Sequence, residues 1–235
     1  MRLNLHNEKN SNKQEEKKQS LFSERERTNI LKKREQQMIM FLVQRIPKWM
    51  NSDMLTLIGF LGSVIVFLAF VCAAYCNITF LLFGVLGFAV SWFGDSLDGR
   101  LAYYRHLERK NYGFALDIIV DWLGIILIGL GFSIYMDGIY KYLGFGFVVF
   151  YGWEMIISLI RYKLSGKYSI DSGIFGPTEV RIIISLILII EVLIPDSIIY
   201  FSIIATGALF ISGIIDTKKL LKLGDEADIS EKSTR

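Results

Sequence analysis

The sequence predicts an all-α integral membrane protein, with six transmembrane helices preceded by an interfacial amphipathic helix. Apolar residues make up 52% of the 235 residues, and the mean hydropathy of +0.41 is too high for an ordinary soluble domain. Six apolar segments approach the roughly 20 residues that cross a bilayer. They lie at about 54–75, 79–94, 114–136, 139–160, 180–194 and 198–215.

The first 33 residues are polar and carry no apolar segment typical of a cleavable signal peptide. A stretch such as EKNSNKQEEKKQS cannot bury enough apolar surface to offset its ordering entropy, so we predict a flexible tail over residues 1–33. Glutamates are interspersed with its basic residues, which argues against a nucleic-acid-binding surface.

Residues 34–52 show the pattern of a helix that lies in the membrane interface. Apolar residues recur three and four positions apart and are flanked by basic residues, and Trp49 is a suitable interfacial anchor. The alternative is a solvated linker. The residues that carry the pattern are Met38, Phe41, Leu42, Arg45 and Trp49. The six-helix membrane domain then follows over residues 53–217.

Lysine and arginine are concentrated in alternate polar segments. Twelve of the 26 lie before Met54, and others crowd residues 100–110, residues 161–167 and the predicted C-terminal tail, residues 218–235. The segments between the remaining spans hold a single basic residue, Lys141. The positive-inside rule therefore predicts that both termini and the 100–110 segment face the cytoplasm.

Four aspartates lie inside or next to apolar segments. Asp95 and Asp98 share a helix face at the cytoplasmic end of the second span, and Asp117 and Asp121 share one at the start of the third. The polar segment 99–112 is expected to fold the chain back, so that the two pairs converge. Carboxylates at such a place are costly unless cations neutralise them.

The chemistry of this cluster points to a hard divalent cation. Oxygen ligands, with only two histidines in the chain, favour Mg²⁺, Mn²⁺ or Ca²⁺ over zinc. Two such ions bridged by carboxylates commonly serve phosphoryl-group displacement, and neighbouring basic residues would bind phosphate. The alternative is that the acids pair with these basic residues at a solvated membrane edge. The basic residues are Arg100, Arg105, Arg109 and Lys110.

This segment resembles the signature of the CDP-alcohol phosphatidyltransferase family, D-x2-D-G-x2-A-R-x8/9-G-x3-D-x3-D. The wider resemblance, six spans preceded by an interfacial helix, covers roughly residues 34–220. The matching positions are Asp95, Asp98, Gly99, Ala102, Gly113, Asp117 and Asp121.

The resemblance implies displacement of CMP from a CDP-linked substrate by an alcohol hydroxyl. It implies two ions, Mg²⁺ or Mn²⁺, held by the four aspartates, with Asp121 also taking the proton of the attacking hydroxyl. Gly99, which has no side chain, would let the nucleotide approach the backbone. Asp53 and Thr56, in DMLT at the start of the first span, look like the family's further CDP contacts. Family members are commonly homodimers, and they are surrounded by membrane lipids.

One position departs from the family pattern. Tyr103 stands where the family has an arginine that contacts the CDP-linked substrate. Arg100, three residues earlier on the helix, or Arg105 in the expected loop would replace that charge. The CDP-binding set is therefore Asp53, Thr56, Gly99, Arg100, Ala102, Tyr103, Arg105 and Gly113.

Charged residues near the later spans are candidates for the acceptor site. They also fit the ordinary charge of cytoplasmic loops. Glu154 and Glu191 lie within predicted spans, where a buried acid needs a partner that the sequence does not identify. The acceptor candidates are Arg161, Lys163, Glu179 and Arg181.

Several functions remain open from the sequence. CDP-diacylglycerol as the phosphatidyl donor to a small alcohol is narrowly favoured. The stretch PTE after Gly176 resembles one in aminoalcohol phosphotransferases of the family, which transfer from a CDP-alcohol to diacylglycerol. Tyr103 leaves a non-catalytic relative open. A cation-coupled transporter is the alternative from another class.

Overall fold

The computed structural model describes residues 32–165 and 177–234, and within these ranges the chain is helical with no strand. Two single 3₁₀ turns, Ile78–Phe80 and Gly138–Tyr140, lead into the third and fifth helices. The helices are α1 (Lys32–Val43), α2 (Ser52–Tyr75), α3 (Leu81–Arg105), α4 (Lys110–Tyr135), α5 (Lys141–Ser165), α6 (Pro177–Leu193) and α7 (Ser197–Thr234).

Five segments of the described chain are long and apolar enough to cross a membrane, which indicates a multi-pass membrane protein. Helix α6 lies at the predicted fifth span, but with 17 residues it is shorter than these five segments. The five segments are Ser52–Tyr75, Ile78–Arg105, Lys110–Tyr135, Gly138–Ser165 and Ser197–Ile229.

Two predicted segments fall partly outside the described ranges. Of the predicted tail 1–33, residues 1–31 are not described, and positions 32 and 33 belong to α1. Of the basic segment 161–167, the last two residues are not described. The predicted C-terminal tail is helical, because α7 continues to Thr234.

The expected fold-back over residues 99–112 is wrong in extent. Helix α3 continues to Arg105 and α4 begins at Lys110, so the chain reverses within four residues. His106, with φ of 57°, ends α3 in the left-handed conformation, and its amide bonds to the Tyr103 carbonyl. Low hydropathy marks where a span leaves the apolar layer, but the backbone stays helical because its hydrogen bonds continue through polar residues.

Helices α2 and α3 pack with their backbones in contact. A Cβ atom on Gly62 would lie 2.6 Å from the Gly87 carbonyl oxygen, and one on Gly94 would overlap the backbone of Gly59. Small residues permit this close approach between membrane helices. The crossing places Asp95, the residue after Gly94, directly beside α2.

Helix α1 packs on the ends of α2 and α3. Its buried apolar residues Ile39 and Val43 form one cluster with Leu55, Leu97 and Leu101. Of the predicted interfacial pattern, Met38 and Phe41 are exposed, whereas Leu42 packs against this cluster.

Glu191 has the partners that the sequence does not identify. Its carboxylate, in a side chain that is 1% exposed, accepts a hydrogen bond of 2.7 Å from the Tyr135 hydroxyl and one of 2.8 Å from the Ile198 amide. It also accepts from Ser197. The Ile198 and Ser197 groups belong to the first turn of α7, so Glu191 caps that helix and links it to α4 and α6.

Candidate active site

Three of the four motif aspartates converge. Carboxylate oxygens of Asp95 on α3 and of Asp117 and Asp121 on α4 all lie within 4.8 Å of one another. Asp117 and Asp121 are one helical turn apart and therefore face the same side of α4. Three hard oxygen donors at this separation suit Mg²⁺ or Mn²⁺.

Asp98 lines the same cleft but is held from α2. Its Oδ2 accepts a hydrogen bond of 2.7 Å from the Thr56 hydroxyl, and its backbone carbonyl accepts one of 3.0 Å from Ser52. The predicted CDP-binding residue Thr56 and the predicted metal ligand Asp98 are thus direct neighbours.

The cleft lies where α2, α3 and α4 meet. It contains about 20 Å³ of free volume, room for a water-sized group or a small ion. Ser63 and Ser91, both buried in its wall, are site residues that sequence reasoning missed. Hydroxyl groups inside strongly apolar spans were the available signal. The lining residues are Thr56, Gly59, Phe60, Ser63, Ser91, Asp95, Asp98, Asp117, Val120 and Asp121.

Arg181 is the acceptor candidate that the structure brings to the carboxylates. From α6, its Nη1 donates a hydrogen bond of 2.7 Å to Asp95 Oδ2. Glu179 is buried in the same turn. Arg161 pairs instead with Asp216 on α7, with 3.9 Å between Arg161 Nη2 and Asp216 Oδ1. Lys163 is exposed near the end of α5.

The backbone next to the aspartates is open. Beyond its adjacent residues and its own helix backbone, a Cβ atom built on Gly99 or on Gly113 would meet no atom of the described chain within 4 Å. A flat ligand can therefore lie against these two helix surfaces, as the family motif implies. Ala102 and Arg100, on the same helix as Gly99, are partly buried.

Asp53, near the start of α2, and Arg109, just before α4, form an exposed ion pair. Arg109 Nη2 lies 2.6 Å from Asp53 Oδ2, and its guanidinium stacks 4.1 Å from the centre of the Tyr112 ring. The hydrogen bond to Asp53 raises the pKa of the Arg109 guanidinium. A permanent cation therefore lies beside a predicted CDP contact.

Arg105 is bound to the connection between α1 and α2. It is the last residue of α3 rather than a loop residue, and it donates to the carbonyl oxygens of Pro47 at 2.9 Å, Ile46 at 3.2 Å and Met50. Tyr103 is partly buried, and the Lys110 amine lies 6.0 Å from the centre of its ring.

These features define a polytopic helical membrane protein with a carboxylate cluster suited to divalent ions at a helix crossing. The family model of the CDP-alcohol phosphatidyltransferases matches residues 49–215, so the chain belongs to that family. The family consists of metal-dependent phosphotransferases that act on CDP-alcohol substrates. A comparison with individually curated proteins gives no significant match.

Proposed function

We propose that this protein is an integral membrane transferase of phospholipid synthesis that moves the phosphatidyl group of CDP-diacylglycerol to the hydroxyl of a small alcohol and releases CMP. The observation that carries this proposal is the convergence of Asp95, Asp117 and Asp121 beside the open backbone of Gly99. A diphosphate bound against Gly99 would lie beside the carboxylates that suit the ions.

Asp95, Asp98, Asp117 and Asp121 would hold two ions, Mg²⁺ or Mn²⁺. The cluster of oxygen donors supports divalent ions at this place, and the family resemblance supports the number of two. Bound divalent ions supply charge neutralisation at the diphosphate, where negative charge develops as CMP departs.

Asp121 is the general base in the proposed reaction. It takes the proton of the acceptor hydroxyl while that oxygen forms a bond to the phosphorus that carries diacylglycerol. The bond from this phosphorus to the bridging oxygen breaks, and CMP leaves with its electron pair. Asp117, one turn away on the same face of α4, places a second carboxylate next to Asp121.

The CDP part of the donor is assigned to the open side of the cleft. Gly99, Ala102 and Gly113 provide the surface, and Thr56 orients Asp98. Asp53 with Arg109 borders this side. Arg100 is the remaining candidate for the charge that Tyr103 lacks, because Arg105 is engaged with backbone carbonyls.

Arg181 supports an acceptor that carries an anionic group. Its guanidinium lies within hydrogen-bond distance of Asp95, so a phosphorylated alcohol in the cleft would meet a cation next to the reacting hydroxyl. Diacylglycerol, the acceptor in the reverse arrangement, is uncharged and would offer Arg181 no anionic group. Arg161, Lys163 and Glu179 are peripheral acceptor candidates.

The proposed membrane arrangement has six spans, with α6 as the fifth and α1 lying in the cytoplasmic interface. The outward-facing Met38 and Phe41 suit contact with lipid. Both termini and the active site face the cytoplasm, as the basic segments predict. The family resemblance supports a homodimer.

The test is CMP release by purified protein from labelled CDP-diacylglycerol with a panel of free and phosphorylated alcohols. We expect release with a phosphorylated alcohol, its loss in EDTA, and its return with Mg²⁺ or Mn²⁺. A parallel assay supplies CDP-alcohols with diacylglycerol. Release only in that assay would reverse the donor assignment, and full turnover without metal would refute the two-ion mechanism.

A further inference from the structure

The first turn of α6 makes two polar contacts with different helices. The Thr178 hydroxyl donates a hydrogen bond of 2.6 Å to Glu35 Oε1 on α1. Three residues later, Arg181 donates one of 2.7 Å to Asp95 on α3. Residues three apart are neighbours on a helix surface. The same turn is therefore attached to α1 and to the carboxylate cluster.

Both contacts are sheltered from water. Glu35 is 6% exposed, and the side chains of Arg181 and Asp95 are 18% and 25% exposed. A hydrogen bond to a charged group contributes more in such surroundings than at an open surface. The Thr178 bond is thus strong enough to influence how the turn is oriented.

Helix α1 is itself anchored to the motif helix. Ile39 and Val43 are buried against Leu97 and Leu101, which lie on α3 beyond Asp95. The three helices form a closed set: α1 contacts α3 through apolar side chains, α6 contacts α1 through Thr178, and α6 contacts α3 through Arg181.

The far end of α6 is held by other groups. Leu188 is fully buried and lies where a side chain on Gly84 would be, and Glu191 is bound to α4 and α7. These contacts hold the C-terminal part of the helix, about two to three turns away from Arg181. At the first turn, the Thr178–Glu35 bond links α6 to α1, and Glu179 is buried there as well.

We propose that Glu35 and Thr178 are positioning residues that hold Arg181 against Asp95, so that α1 sets how strongly this arginine competes with a divalent ion for the carboxylate cluster. The inference rests on the proposed function, in which Asp95 is a metal ligand. Two cations that bind one carboxylate weaken each other, and the coupling is reciprocal. Releasing Arg181 therefore strengthens ion binding.

The experiment measures Mn²⁺ affinity of the full-length protein without substrate, by titration followed with electron paramagnetic resonance. Arg181→Gln should lower the Mn²⁺ Kd by about 5-fold or more, the lower end of typical coupling between sites. Thr178→Val, which removes the hydroxyl but keeps the shape, should lower it in the same direction. Thr178→Ser keeps the hydroxyl and should match the wild type.

The double variant separates positioning from a general structural effect. If Thr178 acts through Arg181, the Thr178→Val/Arg181→Gln protein should bind Mn²⁺ as Arg181→Gln does. Glu35→Leu should reproduce Thr178→Val, and Glu35→Gln, which keeps an acceptor oxygen, should restore the wild-type Kd. If Thr178→Val does not fold, Glu35→Leu and Glu35→Gln test the same positioning role.

Two results would overturn the positioning role while leaving the proposed function intact. One is a wild-type Mn²⁺ Kd in Thr178→Val or Glu35→Leu together with tighter binding in Arg181→Gln. The other is additivity in the double variant. Failure of the wild type to bind Mn²⁺ would instead refute the metal-dependent function and this inference with it.

Discussion

The Thr56 hydroxyl lies 2.7 Å from Asp98 Oδ2 and joins the first turn of α2 to the motif helix α3. Thr56 is 8% exposed, so this bond is sheltered from water, and the Gly99 amide donates to the other oxygen of the same carboxylate. The bond turns Asp98 toward α2, while Asp95, Asp117 and Asp121 converge on one another. Thr56 therefore determines the orientation of a proposed metal ligand without binding the ion itself.

Removing the Thr56 hydroxyl should lower both stability and donor affinity. Thr56→Val keeps the side-chain volume but leaves the Asp98 oxygen without this donor, at a cost of about 1–3 kcal/mol in the free energy of unfolding. Thermal unfolding in one detergent measures the first effect and calorimetry with the CDP-linked donor the second. Thr56→Ser is the matched control and should retain most of both. An unchanged melting temperature in Thr56→Val would contradict the importance of this bond.

Asp121→Asn should separate proton transfer from binding. The substitution keeps the size of the side chain but removes its basicity, so turnover should fall by about 10²–10⁴-fold, the usual effect of losing a positioned base. Affinity for the CDP-linked donor should fall much less if proton transfer is the main role of Asp121, since donor binding does not need the base. Asp95→Asn and Asp98→Asn should weaken both. Equal loss of donor binding in all three variants would refute the special role of Asp121.

Tyr103→Arg should tighten donor binding if the site lacks one charged contact. A hydrogen bond to a charged group contributes about 1.5–3 kcal/mol, which corresponds to more than tenfold in Kd. Calorimetry with the CDP-linked donor measures the change. Arg105→Gln is the contrast: it should lower the melting temperature, because Arg105 binds the carbonyls of the α1–α2 connection. Unchanged or weaker donor binding in Tyr103→Arg would mean that Arg100 already provides the charge.

The two ends of the helices should differ in access to a membrane-impermeant maleimide. Cys76 is exposed where α2 ends, on the side predicted to be outside, whereas Leu107 lies exposed in the turn between α3 and α4. In intact cells, a Cys72→Ser protein should be labelled at Cys76. A Leu107→Cys protein without Cys72 and Cys76 should be labelled only after permeabilisation. The reverse pattern would overturn the predicted cytoplasmic active site.

The sequence by itself determined the class of protein and the chemistry of its site. Hydropathy is a local property, so the apolar runs predict membrane helices without knowledge of their neighbours. The i,i+3 and i,i+4 spacing of the aspartates is equally local and predicts two carboxylate faces that can meet. The motif around Asp95 and Asp121 was sufficient to predict the family.

The tertiary structure decided which side chains meet. The contact of Gly94 with Gly59 determines the position of Asp95 along α2, and no local sequence pattern encodes this contact. Arg181 reaches Asp95 across 86 residues, and Tyr135 reaches Glu191 across 56. Arg105, a phosphate-binding candidate by sequence, is bound to backbone carbonyls because α1 brings them to the end of α3. Helical period predicts the face on which a residue lies, whereas its partners depend on how the helices cross, which long-range packing determines.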